Sequence, residues 1–239
     1  MAVAPPTAEA VVAIWERGRD EHPVDRALTV LAGCCGAPRA ELAGWPLERR
    51  DAALAAYRAS LFGPRWDGYA ACPACGCGVD VALALPEHRT GEARVDGDVE
   101  AEEGFAVEVD ARCFAVRLPT SRDLAAAAAC ASIEQARAVL VRGCAGAGEP
   151  GEALLEALEA ELDRRAELSA GVVALTCPDC AEAWSLEMDV AAFFWRELEV
   201  LAGRLLREVD ALARRYGWSE AEILALSPAR RGFYLELAS

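Results

Sequence analysis

Two cysteine pairs with metal-ligand spacing stand far apart in this chain of 239 residues. The first is Cys-Pro-Ala-Cys at 72–75, and the second is Cys-Pro-Asp-Cys at 177–180. A C-x-x-C turn lets two thiolates close around one metal ion, and two such turns complete a tetrahedral S₄ shell. The sequence therefore predicts a Cys₄ zinc site with four ligands: Cys72, Cys75, Cys177 and Cys180.

The segments that follow the two motifs match, so the motifs form an internal repeat. Apolar residues fall at the same three offsets after the second cysteine of each motif: Val79, Val81 and Leu83 in one, Trp184, Leu186 and Met188 in the other. An alternating segment after each turn is typical of the second arm of a β-hairpin. Paired motifs usually lie about 15–20 residues apart, whereas these lie about one hundred residues apart. We interpret them as the halves of a split zinc ribbon.

Two other interpretations of the cysteine pairs stay open at this point. The four thiols can be unligated residues in turns, or one pair can be a redox motif of the thioredoxin type. The redox interpretation is disfavoured because neither motif lies between a strand and the start of a helix. A fifth thiol, Cys77, lies close enough in sequence to replace a neighbouring ligand, although a small buried residue beside the turn fits it better.

We predict a structural metal and no catalytic residues. A full Cys₄ shell leaves no coordination position for substrate or water, which a zinc hydrolase requires. The only two histidines, His22 and His88, lack ligand-pair spacing, and we expect both to be solvated. The segment GCAGAGEPG lacks the Lys and Ser/Thr of a phosphate-binding loop. For the other five cysteines, core packing is the default: Cys34, Cys35, Cys113, Cys130 and Cys144.

The charge of the chain disfavours nucleic acid as a partner. The formal net charge is −15, with 39 acidic residues against 24 basic ones, and residues 65–115 carry more acid than base. Binding to DNA or RNA gains affinity from Lys and Arg contacts to phosphate, which this composition opposes. A zinc-ribbon transcription or nucleic-acid-associated factor is nevertheless the alternative function.

The N-terminal segment and the hydropathy of the chain bear on its compartment. No apolar run reaches the roughly 18 residues that span a bilayer, and no basic region precedes the short apolar patch near the N-terminus. We therefore expect a cytoplasmic protein with no membrane partner. In the cytosol, ten cysteines indicate reduced thiols and metal ligands before disulfides.

The hydrophobic periodicity predicts an α+β, mainly α fold. Helical N- and C-terminal parts, 1–66 and 190–239, surround a small β-rich split Cys₄ zinc ribbon. The ribbon consists of a first knuckle with β-hairpins at 67–119 and a second knuckle at 170–189, with helices inserted at 120–169. We expect these regions to form one interdependent unit.

Several helix ends and one loop can be predicted from their residues. Val190–Tyr216 carries apolar residues at steps of three or four and ends at a C-capping Gly217. Capping-box patterns occur at Thr120–Asp123, at Ser132–Gln135 and at Ser219–Glu222. The polar, acidic segment PEHRTGEARVDGDVEAEEG is predicted to be a loop between two β segments.

Four stretches resemble the phage baseplate-hub assembly family, which is encoded with contractile tails and extracellular contractile injection systems. They are WERGRDEHPVDRALTVLAGC, LPTSRDLAAA, CPDC with its following Trp, and the C-terminal run from FFWRELEV to FYLEL. The run AAAAACASIE and the extra Cys77 are not part of that pattern. The resemblance covers most of the chain through helix patterns and one cysteine motif.

The resemblance implies a non-enzymatic assembly or structural component of a baseplate or hub. Such a protein acts by contact with baseplate, hub or tail proteins, and has no small-molecule substrate. The cysteines that carry over are the four predicted ligands. A contact surface carries over to Tyr216, Gly217, Trp218 and Ile223. The alternative for Trp218, Phe233 and Tyr234 is that they pack the C-terminal helices onto the core.

Overall fold

The fold is α+β and mainly α, as predicted, with small antiparallel hairpins between its helices. The computed structural model describes residues 3–83, 104–146, 150–169 and 172–238. Its helices are α1 (Ala8–Gly18), α2 (Pro23–Cys35), α3 (Arg39–Leu42), α4 (Leu47–Phe62), α5 (Ser121–Ala128), α6 (Ile133–Cys144), α7 (Glu152–Ser169), α8 (Val190–Tyr216), α9 (Glu220–Leu224) and α10 (Pro228–Ala238). Its strands are β1 (Trp66–Ala71), β2 (Gly78–Leu83), β3 (Gly104–Val109), β4 (Arg112–Arg117), β5 (Val172–Thr176) and β6 (Ala183–Glu187).

The long helix α8 organises the main core, and its predicted bounds are confirmed. Asp189 caps its start by accepting a hydrogen bond from the Ala192 N–H at 2.9 Å, and Gly217 ends it with a left-handed φ of 70°. The predicted stripe is buried at four positions: Phe194, Leu198, Leu205 and Leu212. Helices α1, α2 and α4 pack their apolar faces against this stripe. The N-terminal helices and α8 therefore share one continuous apolar core, and its burial holds them together.

The N-terminal helices begin and end where local chemistry allows. Thr7 caps α1, and Pro23 stands at the first position of α2, where a missing N–H costs nothing. The exposed His22 caps α2 through Nδ1, which accepts from the Val24 N–H at 3.4 Å. His22 is thus solvated as predicted, while His88 lies outside the described residues.

A second, smaller core lies among the hairpin β3–β4 and the inserted helices α6 and α7. It consists of Val107, Val116, Val141, Cys144, Leu154 and Leu158. The predicted capping box at the start of α5 is present: Asp123 Oδ2 accepts from the Thr120 N–H at 2.8 Å. Arg117 donates to both oxygens of the same carboxylate, which ties β4 to α5.

The first hairpin begins one residue before the region predicted to be β-rich. Strand β1 starts at Trp66, and its pairing with β2 places Trp66 opposite Leu83. The short helix α3 lies within the N-terminal region that was predicted to be helical. The predicted acidic loop falls almost wholly within residues 84–103, outside the described residues. Among the described helices, none is both long enough and apolar enough to cross a membrane.

A buried arginine connects α4, α8 and the start of β1. Arg58 Nη2 lies 2.6 Å from Glu197 Oε1, and its Nε donates to Oε2 at 2.8 Å, so the ion pair is bidentate. The same guanidinium donates to the carbonyl oxygens of Gly63 and Arg65, and it lies 4.4 Å from the centre of the Trp66 ring. Its side chain is only 3% exposed. This arginine fixes the chain at the point where it leaves the helices for the first hairpin.

Replacing Arg58 by Met should lower the free energy of unfolding by about 3 kcal/mol or more, because Glu197 would keep its charge without a partner. Urea unfolding followed by circular dichroism measures the change. Arg164→Met is the matched control, since it removes an exposed pair with Glu161 and should have little effect. Equal effects of the two substitutions would contradict the role assigned to Arg58.

Candidate metal centre

The first knuckle is the turn between β1 and β2. The Cys72 N–H donates to the Cys77 carbonyl oxygen at 2.8 Å, and the Gly76 N–H donates to the Cys72 carbonyl at 2.9 Å. These two bonds close the chain into a tight loop that holds Cys72 and Cys75 on the same side. Gly76 adopts a φ of 75°, in the left-handed region that glycine enters without a steric cost.

The second knuckle, between β5 and β6, repeats this geometry bond for bond. The Cys177 N–H donates to the Glu182 carbonyl at 2.8 Å, and the Ala181 N–H donates to the Cys177 carbonyl at 3.0 Å. Ala181 stands where the first knuckle has Gly76, and it adopts the same left-handed conformation with a φ of 60°. The predicted internal repeat is therefore a repeat of backbone structure, including the hairpin on which each knuckle sits.

The two knuckles face each other and bring all four predicted ligands together. Cys72 Sγ lies 3.6 Å from Cys180 Sγ, and Cys75 Sγ lies 3.5 Å from Cys177 Sγ. All four sulfur atoms lie within 4.8 Å of one another. A tetrahedral zinc site with bonds of about 2.3 Å has sulfur–sulfur edges of about 3.8 Å. The four thiols therefore match the size of a tetrahedral S₄ shell and form a site that can hold a metal ion.

The burial of the four cysteines alternates in the same way in both knuckles. Cys72 is 3% exposed and Cys177 is 2% exposed, whereas Cys75 and Cys180 are exposed. Each knuckle thus contributes one ligand from the interior and one from the surface. The site lies at the tip of the paired hairpins, where a metal ion can enter from solvent.

The electrostatics of the cluster favour a cation. The backbone N–H of Cys180 is the main cause that lowers the pKa of the Cys177 thiol to about 6. Although the Glu182 N–H favours the Cys180 thiolate, the neighbouring thiols and burial raise the pKa of Cys180 to about 12. One thiolate forms readily, and its charge opposes ionisation of the next. A bound cation removes this opposition, since it stabilises all four thiolates together.

The other cysteines do not join this cluster. A hydrogen bond to Asp179, with burial, raises the pKa of the half-buried Cys77 thiol to about 12, which disfavours it as a ligand. Cys144 is fully buried in the second core, as core packing predicts. Core packing is wrong for Cys113, which is exposed on the short strand β4. Three others are partly buried: Cys34, Cys35 and Cys130.

The C-terminal residues singled out by resemblance form an aromatic cluster. Tyr216 stacks on Trp218 with ring centres 4.7 Å apart, and Tyr234 meets Trp218 edge-on at 4.9 Å. These contacts hold α10 against the end of α8, as the packing alternative predicts, while Phe233 beside them remains 59% exposed. Ile223 has no exposed surface. It lies inside the packing of α9 against α8 and could support a contact surface only from beneath.

Comparison with protein-family models, with curated proteins and with solved structures finds no match.

Replacing Cys177 by Ser should release the metal and lower the melting temperature by roughly 10 °C or more, because metal binding and folding are coupled. Elemental analysis of the purified protein and thermal unfolding measure the two effects. Cys113→Ser is the matched control, since it removes an exposed thiol outside the cluster. Wild-type protein that contains no metal, or metal retained by the Cys177 variant, would contradict the site.

The two left-handed positions give a reciprocal test of the knuckles. Ala181→Gly should stabilise the protein by about 0.5–1 kcal/mol. It removes a backbone strain of about 1–2 kcal/mol, and the greater conformational entropy of glycine in the unfolded chain offsets part of that gain. Gly76→Ala should destabilise it by about 1 kcal/mol. The cause is backbone strain alone, since a Cβ at this position meets no neighbouring atom. Chemical unfolding measures both, and changes of the same sign would contradict the shared turn geometry.

Proposed function

We propose that the protein is a non-enzymatic assembly factor that acts by protein–protein contact and whose fold is held by a structural zinc ion. The observation that carries the proposal is the set of four cysteine sulfurs, from two distant knuckles, within 4.8 Å of one another. A shell of four thiolates saturates tetrahedral zinc and leaves no position for a substrate. Such a site stabilises a surface for other molecules to bind.

Zinc is the metal that this donor set favours. A compact set of four thiolates in tetrahedral array is typical of zinc or of an iron–sulfur centre, and zinc needs no further inorganic atoms. The matched C-x-x-C turns on two hairpins are the arrangement of structural zinc ribbons. The metal would join the hairpin β1–β2 to the hairpin β5–β6 and so close the chain around the inserted helices.

The charge around the knuckles supports a protein partner over nucleic acid. Residues 65–83 and 172–189 together contain six acidic residues and a single basic one, Arg65. Zinc ribbons that bind nucleic acid need Lys or Arg near phosphate, and the acidic residues here would repel it. This distribution disfavours the alternative function, a transcription or nucleic-acid-associated factor.

For the partner, we propose baseplate, hub or tail proteins of a phage-tail-like contractile injection system, met in the cytoplasm. The resemblance of the N-terminal and C-terminal helical segments to the baseplate-hub assembly family supports this proposal. A C-terminal contact surface would consist of Tyr216, Gly217 and Trp218, extended by the exposed Phe233. Ile223 would support that surface from below.

Affinity purification from cells that express the natural partners tests this function. The expected result is that wild-type protein retains baseplate, hub or tail proteins, identified by mass spectrometry, because contact with them is the proposed activity. The Cys177→Ser variant should retain less of them, since its two hairpins are no longer joined. Absence of every tail protein from the wild-type sample would contradict the proposed function.

A gel-shift assay with duplex DNA and single-stranded RNA separates the alternative from the proposal. The acidic knuckles predict no retarded band even at low salt, where phosphate contacts are strongest. A retarded band that weakens steeply as salt rises would favour the nucleic-acid-associated factor instead.

A further inference from the structure

An apolar groove runs between α8 and the two knuckle hairpins. Its volume is about 820 Å³, and strands β1, β2 and β6 all contribute to its wall. Both hairpins are thus needed to form it. The cysteine cluster that joins the hairpins therefore also holds the two sides of the groove in place.

The floor of the groove is a face of α8 beside the stripe that is buried in the core, and Phe193 and Leu201 also pack against that core. The floor begins at the capping Asp189 and continues in adjacent pairs of residues, one helical turn apart: Ala192 and Phe193, Arg196 and Glu197, Val200 and Leu201, and then Arg204. Val200 is 70% exposed in the middle of this face. From Ala192 to Arg204 the helix rises about 18 Å, or between three and four turns. The floor is long enough for a short helix to lie along it.

The hairpin wall presents an exposed aromatic side chain to the groove. Tyr69 of β1 is 71% exposed, although tyrosine usually buries most of its ring. Its ring lies over Gly78 on β2, where a Cβ would collide with it. Phe193 on the floor packs against the buried Trp66 with ring centres 5.0 Å apart. Aromatic groups at an exposed apolar surface are typical of protein contact sites.

The charged residues of the groove leave it electropositive in an otherwise acidic protein. Glu197 is neutralised by the buried Arg58, and Asp189 is engaged in capping α8. Arg196 is exposed and makes no ion pair or hydrogen bond within the described part of the chain. Arg204 shares the carboxylate of Glu208 with Arg231, so two guanidiniums face a single acid.

From this shape and charge, we propose that the groove binds an amphipathic helix with an acidic edge from a protein partner. Apolar side chains at positions i, i+3 or i+4, and i+7 of that helix fill the groove between Val200 and Tyr69. Two carboxylates, seven or eight residues apart, meet Arg196 and Arg204, which lie about 12 Å apart along α8. The inference deepens the proposed contact function and does not depend on which machine supplies the partner.

Selection from a displayed library of helical peptides of about 16 residues tests the groove on the full-length, metal-loaded protein. The selected peptides are expected to combine the apolar spacing with two acidic residues that lie seven or eight residues apart. Val200→Glu should weaken a selected peptide about tenfold or more, measured by fluorescence anisotropy, because it places a carboxylate in the apolar floor. Val139→Glu, at an exposed valine on α6, is the matched control and should leave the affinity unchanged.

Charge reversal tests the acidic edge separately. Arg196→Glu should shift the selected peptides from Asp and Glu to Lys and Arg at the position that faces it. Arg207→Glu makes the same charge change on an exposed residue of α8 outside the groove and should not alter the selection. Circular dichroism of each variant verifies that the fold is intact.

Several results would overturn the proposal. In the selection, these are a failure to enrich any peptide and the enrichment of basic peptides. In the binding assay, it is an affinity that Val200→Glu leaves unchanged. A dimer of this chain that Val200→Glu dissociates, or an apolar small molecule that co-purifies in the groove, would show that the groove has another occupant. The library contains no tail proteins, so these results leave the proposed function standing. Conversely, failure to capture a tail protein leaves the groove test unaffected.

Discussion

The meeting of two cysteine knuckles across about one hundred intervening residues is the constraint on which the rest of the structure depends. Closing a loop of that length costs only about 4 kcal/mol of chain entropy. A structural zinc ion contributes about 10–16 kcal/mol in finger peptides, so a zinc ion bound by the four cysteines would readily offset the cost of closure. The intervening chain has its own small core around Leu158 and Cys144. It therefore adds helices to the closed unit without opposing the meeting of the two knuckles.

Two connections, one ionic and one through the cysteine cluster, fix the first hairpin at opposite ends. At the base, Arg58 ties the start of β1 to Glu197 on α8. At the tip, Cys72 and Cys75 face the second knuckle. The second hairpin continues almost directly into α8, which begins three residues after β6. The hairpins therefore cannot move far relative to α8, and the space between them keeps a defined shape.

Periodicity and capping chemistry predicted the helices and the ligands well, because both depend on residues close together in sequence. The bounds of α8, its cap at Gly217 and the four-cysteine cluster all follow from local patterns. The details that the sequence left open concern long-range packing. Strand β1 begins at Trp66 because β2 pairs with it there, and Ile223 is buried because α8 lies beneath α9. Neither neighbour is visible in the local sequence.

The groove could not be predicted from the sequence for the same reason, since its walls come from three strands and one helix. Phe193 and Val200 look like ordinary members of an amphipathic helix, yet both line the groove beside the buried stripe. A partner that fits this groove would bind best to the state in which both hairpins are joined. If a metal ion occupies the cysteine cluster, thermodynamic linkage requires that such a partner strengthen metal binding and that the metal strengthen binding of the partner by the same factor. The metal would then act on contact at a distance, through the position of the groove walls.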